Sequence, residues 1–107
     1  MAYRGQEYKA AVGDYTASDV IIDRIAVRKG YTTNKLAVFL KTTSTAFRVE
    51  ESIDGDEWIT LVDPGVVYSP SWKVIDLSGA NYPTGTLLRV VATGAMTVDQ
   101  ALVTQDW

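Results

Sequence analysis

The chain has 107 residues, enough for one domain whose core buries roughly two-thirds of the surface an unfolded chain exposes. Apolar residues make up 47% and charged residues 21%, a balance that excludes an intrinsically disordered chain. Ten basic and thirteen acidic residues are interspersed to a net charge of −3, which leaves no basic stripe for nucleic acid and no polybasic cluster for a membrane surface.

Residues 1–18 carry Tyr3, Tyr8 and Tyr15 spaced through polar and small residues, with little strand character. They read as an arm that packs along the domain or reaches a neighbouring subunit, leaving 19–107 as the domain proper. From Val20 onward the hydrophobic period is two and the segments are short, the signature of β-strands. Val20 to Val27 is the first, rich in β-branched residues and interrupted by Asp23 and Arg24. Lys29 to Asn34 is a turn, and Leu36 to Lys41 a strand buried on both faces. Phe47 to Ile53 is a third strand, with Phe47, Val49, Glu51 and Ile53 on the drier face and Arg48, Glu50 and Ser52 on the wetter one.

Asp54-Gly55 then marks a hairpin, because glycine takes the positive φ that a tight turn needs and aspartate favours the position before it. Asp56 and Glu57 lengthen the connection to the size of a bulged hairpin loop. The returning strand is Trp58 to Val62, with Trp58 as a core anchor. Pro64-Gly65 makes the next turn, Val66 to Tyr68 a short edge strand, and Trp72 to Leu77 another strand. Ser78 to Gly85 is the longest loop. Leu87 to Ala92, a turn over Thr93 to Ala95, and a final strand from Thr97 to Val103 complete the chain. Seven or eight strands at roughly ten-residue spacing predict an all-β, antiparallel sandwich, jelly-roll or immunoglobulin-like, with almost no helix.

Neither cysteine nor histidine occurs, which removes disulfides, thiolate chemistry, the commonest zinc ligands and the commonest general base. No secretory signal is expected from Met-Ala-Tyr-Arg-Gly-Gln-Glu, and no apolar run approaches a membrane helix. Asp54 and Asp56 offer carboxylates to calcium, but a calcium loop needs more oxygen ligands at set spacing, so the pair reads as hairpin chemistry. Glu50 and Glu51 are adjacent and on a strand point to opposite faces, so they form no catalytic dyad. Glu51 is expected at the rim of the core or against a partner, paired with a basic residue such as Arg89. Ser71 and Lys73 have the spacing of ordinary strand alternation, and no Gly-x-Ser-x-Gly elbow or glycine-rich phosphate loop occurs. No enzyme and no cofactor are expected.

Aromatic residues are the remaining candidates. Tyr3, Tyr8, Tyr15 and the last residue, Trp107, are candidate interface residues. Tyr68, Trp72 and Tyr82, in or beside turns, are candidate glycan contacts, since a ring there can stack on a sugar.

The run Phe47 to Trp58 contains Ser52-Ile53-Asp54-Gly55-Asp56-Glu57-Trp58, which resembles the S-x-D-G-x-x-W hairpin of discoidin-like (galactose-binding-like) β-sandwiches and related jelly rolls. Thr86 to Val91 is similar to the Y-L-R-V strand that follows in those domains. The resemblance covers about the final sixty residues; family members are longer at the start and carry their binding loops there, so no ligand residue transfers. In overall type the chain also resembles small bacteriophage virion proteins of the capsid-decoration, head-fibre or tail-accessory kind. That resemblance implies a structural protein made in the host cytoplasm and assembled into a virion as a homo-oligomer bound to other virion proteins. A carbohydrate-binding module using the loop aromatics is the alternative.

Overall fold

The structure, a computed structural model, describes residues 3–26, 35–60, 66–76 and 87–106. It is all-β, with three antiparallel sheets and, among the described residues, no α-helix and no helix long and apolar enough to cross a membrane. The strands are β1 (Tyr3–Glu7), β2 (Gly13–Tyr15), β3 (Val20–Ala26), β4 (Lys35–Lys41), β5 (Phe47–Ser52), β6 (Ile59–Thr60), β7 (Val66–Tyr68), β8 (Trp72–Asp76), β9 (Leu87–Ala92), β10 (Met96–Val98) and β11 (Gln100–Asp106). A five-stranded sheet runs β1-β11-β4-β8-β7, a four-stranded sheet β3-β9-β5-β6, and β10 pairs with β2 alone.

The two larger sheets share one core. Val38 and Leu40 of β4, Ile75 of β8 and Val103 of β11 meet Ile22 and Ile25 of β3, Val49 of β5 and Leu88 and Val90 of β9. Each such side chain withdrawn from water contributes about 1.5–3 kcal/mol. β1 lies beside β11, β3 beside β9, β4 beside β8 and, as a hairpin at the middle, β5 beside β6. With β2 beside β10 in the small sheet, and apart from the β7 edge, the strands pair first with last and inward to the middle, as one long antiparallel hairpin rolled up on itself.

Several expectations are met. β3 is interrupted at Asp23 and Arg24, where its register with β9 shifts. β5 and β6 form the expected hairpin around Gly55, whose φ is +84°. β7 is an outermost strand, and β4 buries Val38 and Leu40 while Ala37 and Phe39 are half-buried on its other face. The turns over 29–34 and 64–65 and the loop over 78–85 lie outside the described residues.

Other expectations are corrected. The segment read as an arm that packs along the domain or reaches a neighbour does pack along the domain, but as strands of its sheets over residues 3–15 and not as chain with little strand character. β1 pairs along its whole length with β11, and the Tyr8 N–H donates to the Ala101 carbonyl at 3.0 Å. A 3-10 turn (Lys9–Ala11) then seats Ala11 in the core. An edge strand is held by backbone hydrogen bonds from one neighbour and needs no strict alternation, which is why this one is faint in the sequence. The single final strand is two: Asp99 and Gln100 are both exposed, so the alternation shifts phase there, burying Val98 on one side of the break and Ala101 on the other. The Asp99 N–H, donating to Lys41 O at 2.8 Å, secures the step from β10 into β11.

The wet and dry faces of β5 are also redrawn. Glu50 and Ser52 are buried, at 6% and 3% exposure, whereas Ile53 is 86% exposed because it has left the strand for the hairpin loop. On β8 the inward residues are Ile75 and Lys73. The Lys73 ammonium is held at the end of the core, donating to Ser69 O at 2.6 Å and Thr42 O at 3.2 Å.

Candidate functional site

Strand alternation places the most chemically distinctive cluster on the outer face of the four-stranded sheet. With Leu88 and Val90 buried in the core, Arg89 of β9 faces outward. Glu50 of β5 is its direct cross-strand partner, so the two share that face, and Arg48 lies two residues along the same strand. The Glu50 carboxylate accepts from both arginines, Oε1 from Arg89 Nε at 2.7 Å and Oε2 from Arg48 Nε at 2.9 Å. Burial by itself would raise the Glu50 pKa, but the hydrogen bonds and charges of Arg48 and Arg89 outweigh it and hold the carboxyl below its usual range. The arginine side chains are 37% and 24% exposed, so the carboxylate is enclosed and its partners reach water.

Trp58 completes the cluster. Its ring lies under the Arg89 guanidinium, 4.1 Å from Cζ to the ring centroid, and its indole N–H donates to the Gly55 carbonyl at 3.2 Å. The residue expected to anchor the core instead packs half-buried outside it. Its phase along β6 is that of Thr60, which pairs with Glu50 on the outer face.

A third arginine reaches this face through a backbone irregularity. Ile22 pairs with Val90 and Ile25 with Leu88, so Asp23 and Arg24 together oppose the single residue Arg89. Arg24 takes a left-handed φ of +57°, a conformation that costs a non-glycine residue about 1–3 kcal/mol. The bulge re-aims its side chain toward the hairpin loop. A Cβ on Gly55 would sit 3.1 Å from Arg24 Nη1 and 3.5 Å from Leu87 Cδ1, so the guanidinium tip packs closely on the loop, whose φ of +84° at this position favours glycine.

The loop is held by its own polar groups. Asp54 Oδ1 accepts the N–H groups of Asp56 at 2.9 Å and Glu57 at 3.0 Å and the Ser52 hydroxyl at 3.1 Å, and Ser52 Oγ accepts the Gly55 N–H at 2.8 Å. Those bonds from Glu57, Asp56 and Ser52 lower the Asp54 pKa. Of the Asp54–Asp56 pair considered for calcium, the Asp54 carboxylate is thus engaged in the turn and Asp56 contributes its N–H, and among the described residues no group of three or more His, Cys, Asp or Glu is arranged to hold a metal ion.

At the edge of the sheet the same hairpin exposes apolar surface. Ile59 of β6 is 66% exposed and pairs with Glu51, and Ile53 stands clear in the loop. The expected Glu51–Arg89 pair does not form, since Glu51 opposes Leu88 and lies on the other face of β5.

The residues singled out in the sequence are dispersed. Tyr8 and Tyr15 pack half-buried against the core of their own domain, and the Tyr15 hydroxyl donates to the Ala11 carbonyl. Burial, then the nearby Asp19 charge, raises the Tyr15 pKa. Tyr3 starts β1 opposite Asp106, its side chain outside the described set, as is Trp107. Tyr68 ends β7 and half-buried Trp72 begins β8, on either side of a turn locked by Ser69, which accepts the Trp72 N–H through Oγ at 3.0 Å. Tyr82 and the side chain of Tyr68 lie outside the described residues. Ser71 is exposed while Lys73 is buried on Thr42 and Ser69, and no hydrogen bond joins the two. Sequence reasoning missed the Arg24–Arg89–Glu50–Arg48–Trp58 face. Two signals pointed to it: Arg48 and Glu50 share one strand phase, and Asp23-Arg24 interrupts an otherwise apolar strand.

No known protein family, curated protein or solved structure matches this chain.

Proposed function

We propose that this protein is a non-catalytic structural module of a virus particle, of the phage capsid-decoration or tail-accessory kind, that works by binding neighbouring subunits. The observation that carries the reading is the exposed apolar edge at Ile53 and Ile59, beside β6, the outermost strand of its sheet among the described residues. An uncovered strand edge flanked by isoleucine favours a second chain, and proteins that remain alone blunt such edges with charge or a bulge. The opposite edge of this sheet, β3, is blunted in that way at Asp23 and Arg24. The first-with-last pairing of the strands of the two larger sheets, β7 aside, supports a jelly roll over an immunoglobulin-like topology, and viral capsid and lectin domains are both built on jelly rolls.

The test is the mass of the protein in solution by sedimentation across a wide concentration range, beside the variant Ile53→Asp/Ile59→Lys. The expected result is a concentration-dependent oligomer for the unmodified chain and a monomer with unchanged β-sheet circular dichroism for the variant. A monomer at the highest concentration, together with absence of the protein from purified particles, overturns the reading. Truncation of residues 1–15 is a poorer probe, because it removes an edge strand and the core residue Ala11.

A carbohydrate-binding module is the second reading, favoured by the turn that sets Tyr68 and Trp72 at the two ends of one rigid Ser69 connection. Tyr82 belongs to the same proposal. Glycan-array binding that Trp72→Ala or Tyr82→Ala removes would select it, and a silent array discards it.

A further inference from the structure

We propose that the outer face of the four-stranded sheet is a recognition site for a carboxylate, presented by an acidic segment of a partner protein, with Arg48, Arg89 and Arg24 as the binding groups and Trp58 as the apolar floor. The argument begins with how the two central guanidinium groups are held. Each donates through Nε to a separate oxygen of the buried Glu50, and among the described residues no other side-chain hydrogen bond engages either guanidinium. The Nη1 and Nη2 edge of each therefore remains available. That edge is the planar fork that matches a carboxylate with two parallel hydrogen bonds. Glu50 fixes the forks in place before a ligand arrives, and stacking on Trp58 fixes the plane of Arg89. Pre-ordering of this kind removes side-chain entropy that binding would otherwise cost.

The third arginine strengthens the case. A β-bulge that forces a non-glycine residue into left-handed backbone is a device for re-aiming a side chain. Here it brings Arg24 onto the face shared by Arg89 and Glu50 and against the Gly55 loop, where its guanidinium has no ion-pair partner among the described residues.

Charge decides which anion. Arg48 and Arg89 against Glu50 leave one net positive charge, and Arg24 adds a second. Asp23, Asp54, Asp56 and Glu57 are exposed along the margin, on a chain of net charge −3. The positive surplus is therefore confined to the centre of the face: a long polyanion such as nucleic acid would also meet the marginal carboxylates as repulsion, whereas one glutamate or aspartate side chain meets only the arginines. A flat sheet face bordered by a half-exposed tryptophan suits an extended peptide with an apolar residue beside its acid. Trp58 and Thr60 lie on this outer face and Ile59 on the other side of β6, so the inference stands apart from the assembly reading and the two fail separately.

The test is a nuclear magnetic resonance titration of the full chain with a short valine-rich peptide carrying one glutamate, its glutamine counterpart, and a phosphoserine counterpart. The expected result is saturable movement of the Trp58 indole and the Arg24, Arg48 and Arg89 side-chain signals with the glutamate peptide. The glutamine peptide produces none, and the phosphoserine peptide binds more weakly. Arg48→Gln and Arg24→Gln each weaken binding roughly tenfold while the backbone spectrum of the core is retained. Absence of saturable shifts in the unmodified chain overturns the proposal whatever the variants do. So does equal binding of the glutamine peptide, tighter binding of the phosphoserine peptide, or unchanged affinity in both variants.

Discussion

Glu50 and Arg89 stand directly opposite each other on β5 and β9, joined at 2.7 Å, with the carboxylate buried and the guanidinium partly in water. This asymmetry governs how the pair responds to mutation. Removing Glu50 leaves two arginines facing each other without their shared anion, whereas removing either arginine leaves the carboxylate one partner. We expect Glu50→Ala to destabilise the fold by about 1–3 kcal/mol, less than a fully buried pair because the arginines retain solvent. Arg89→Ala should cost less, and Arg48→Ala, the more exposed of the two, about 0–1 kcal/mol. Urea unfolding midpoints check the order.

Acid should weaken the same cluster. Arg48 and Arg89 together overcome burial and lower the folded-state pKa of Glu50 below its unfolded value. Its contribution to stability is therefore complete above the unfolded pKa and is lost as pH falls through the lowered folded one. Asp54, lowered by the loop N–H groups, acts in the same direction. As pH falls below the ordinary glutamate value of 4.5, the unmodified protein should lose stability more steeply than Glu50→Gln. Parallel curves for the two proteins would show that the pair does not carry the acid response.

Two glycines should respond oppositely to alanine. Gly55 has a φ of +84° and a Cβ there meets Arg24 Nη1 at 3.1 Å, so Gly55→Ala should destabilise by about 1 kcal/mol or more. At Gly94 a Cβ meets only Ala46 Cβ, at an ordinary 3.5 Å, so Gly94→Ala should be neutral or stabilising by about 0.4–1 kcal/mol through the unfolded chain. Thermal unfolding of the two variants side by side distinguishes them.

The core should respond as one unit shared by two sheets. Leu88 of β9 and Leu40 of β4 are both fully enclosed, and each truncated to alanine should cost about 2–5 kcal/mol. Ile75→Val, which removes one methylene, should cost about 0.5–1.5 kcal/mol. Chemical denaturation measures all three, and a loss near zero at Leu88 would mean that β9 does not cover the core.

Local regularity decides what a reader of the chain alone can recover. The alternation of Leu36 to Lys41 and Leu87 to Ala92, the Asp54-Gly55 hairpin and the break at Asp23-Arg24 each carry their signal within a few residues, and the all-β class and most strands followed from them. The strand at Tyr3–Glu7 was hidden because its partner is β11, at the far end of the sequence, and backbone pairing leaves little trace in side chains. The binding face was hidden for the same reason. Period-two patterning says that Glu50 and Glu51 point apart, but only the register of β5 on β9 decides that Glu50, and not Glu51, meets Arg89. Side-chain period is a property of one strand, and register is a property of two. What the residues determined by themselves was therefore the kind of fold, while tertiary pairing decided which charges meet and on which side of the sheet.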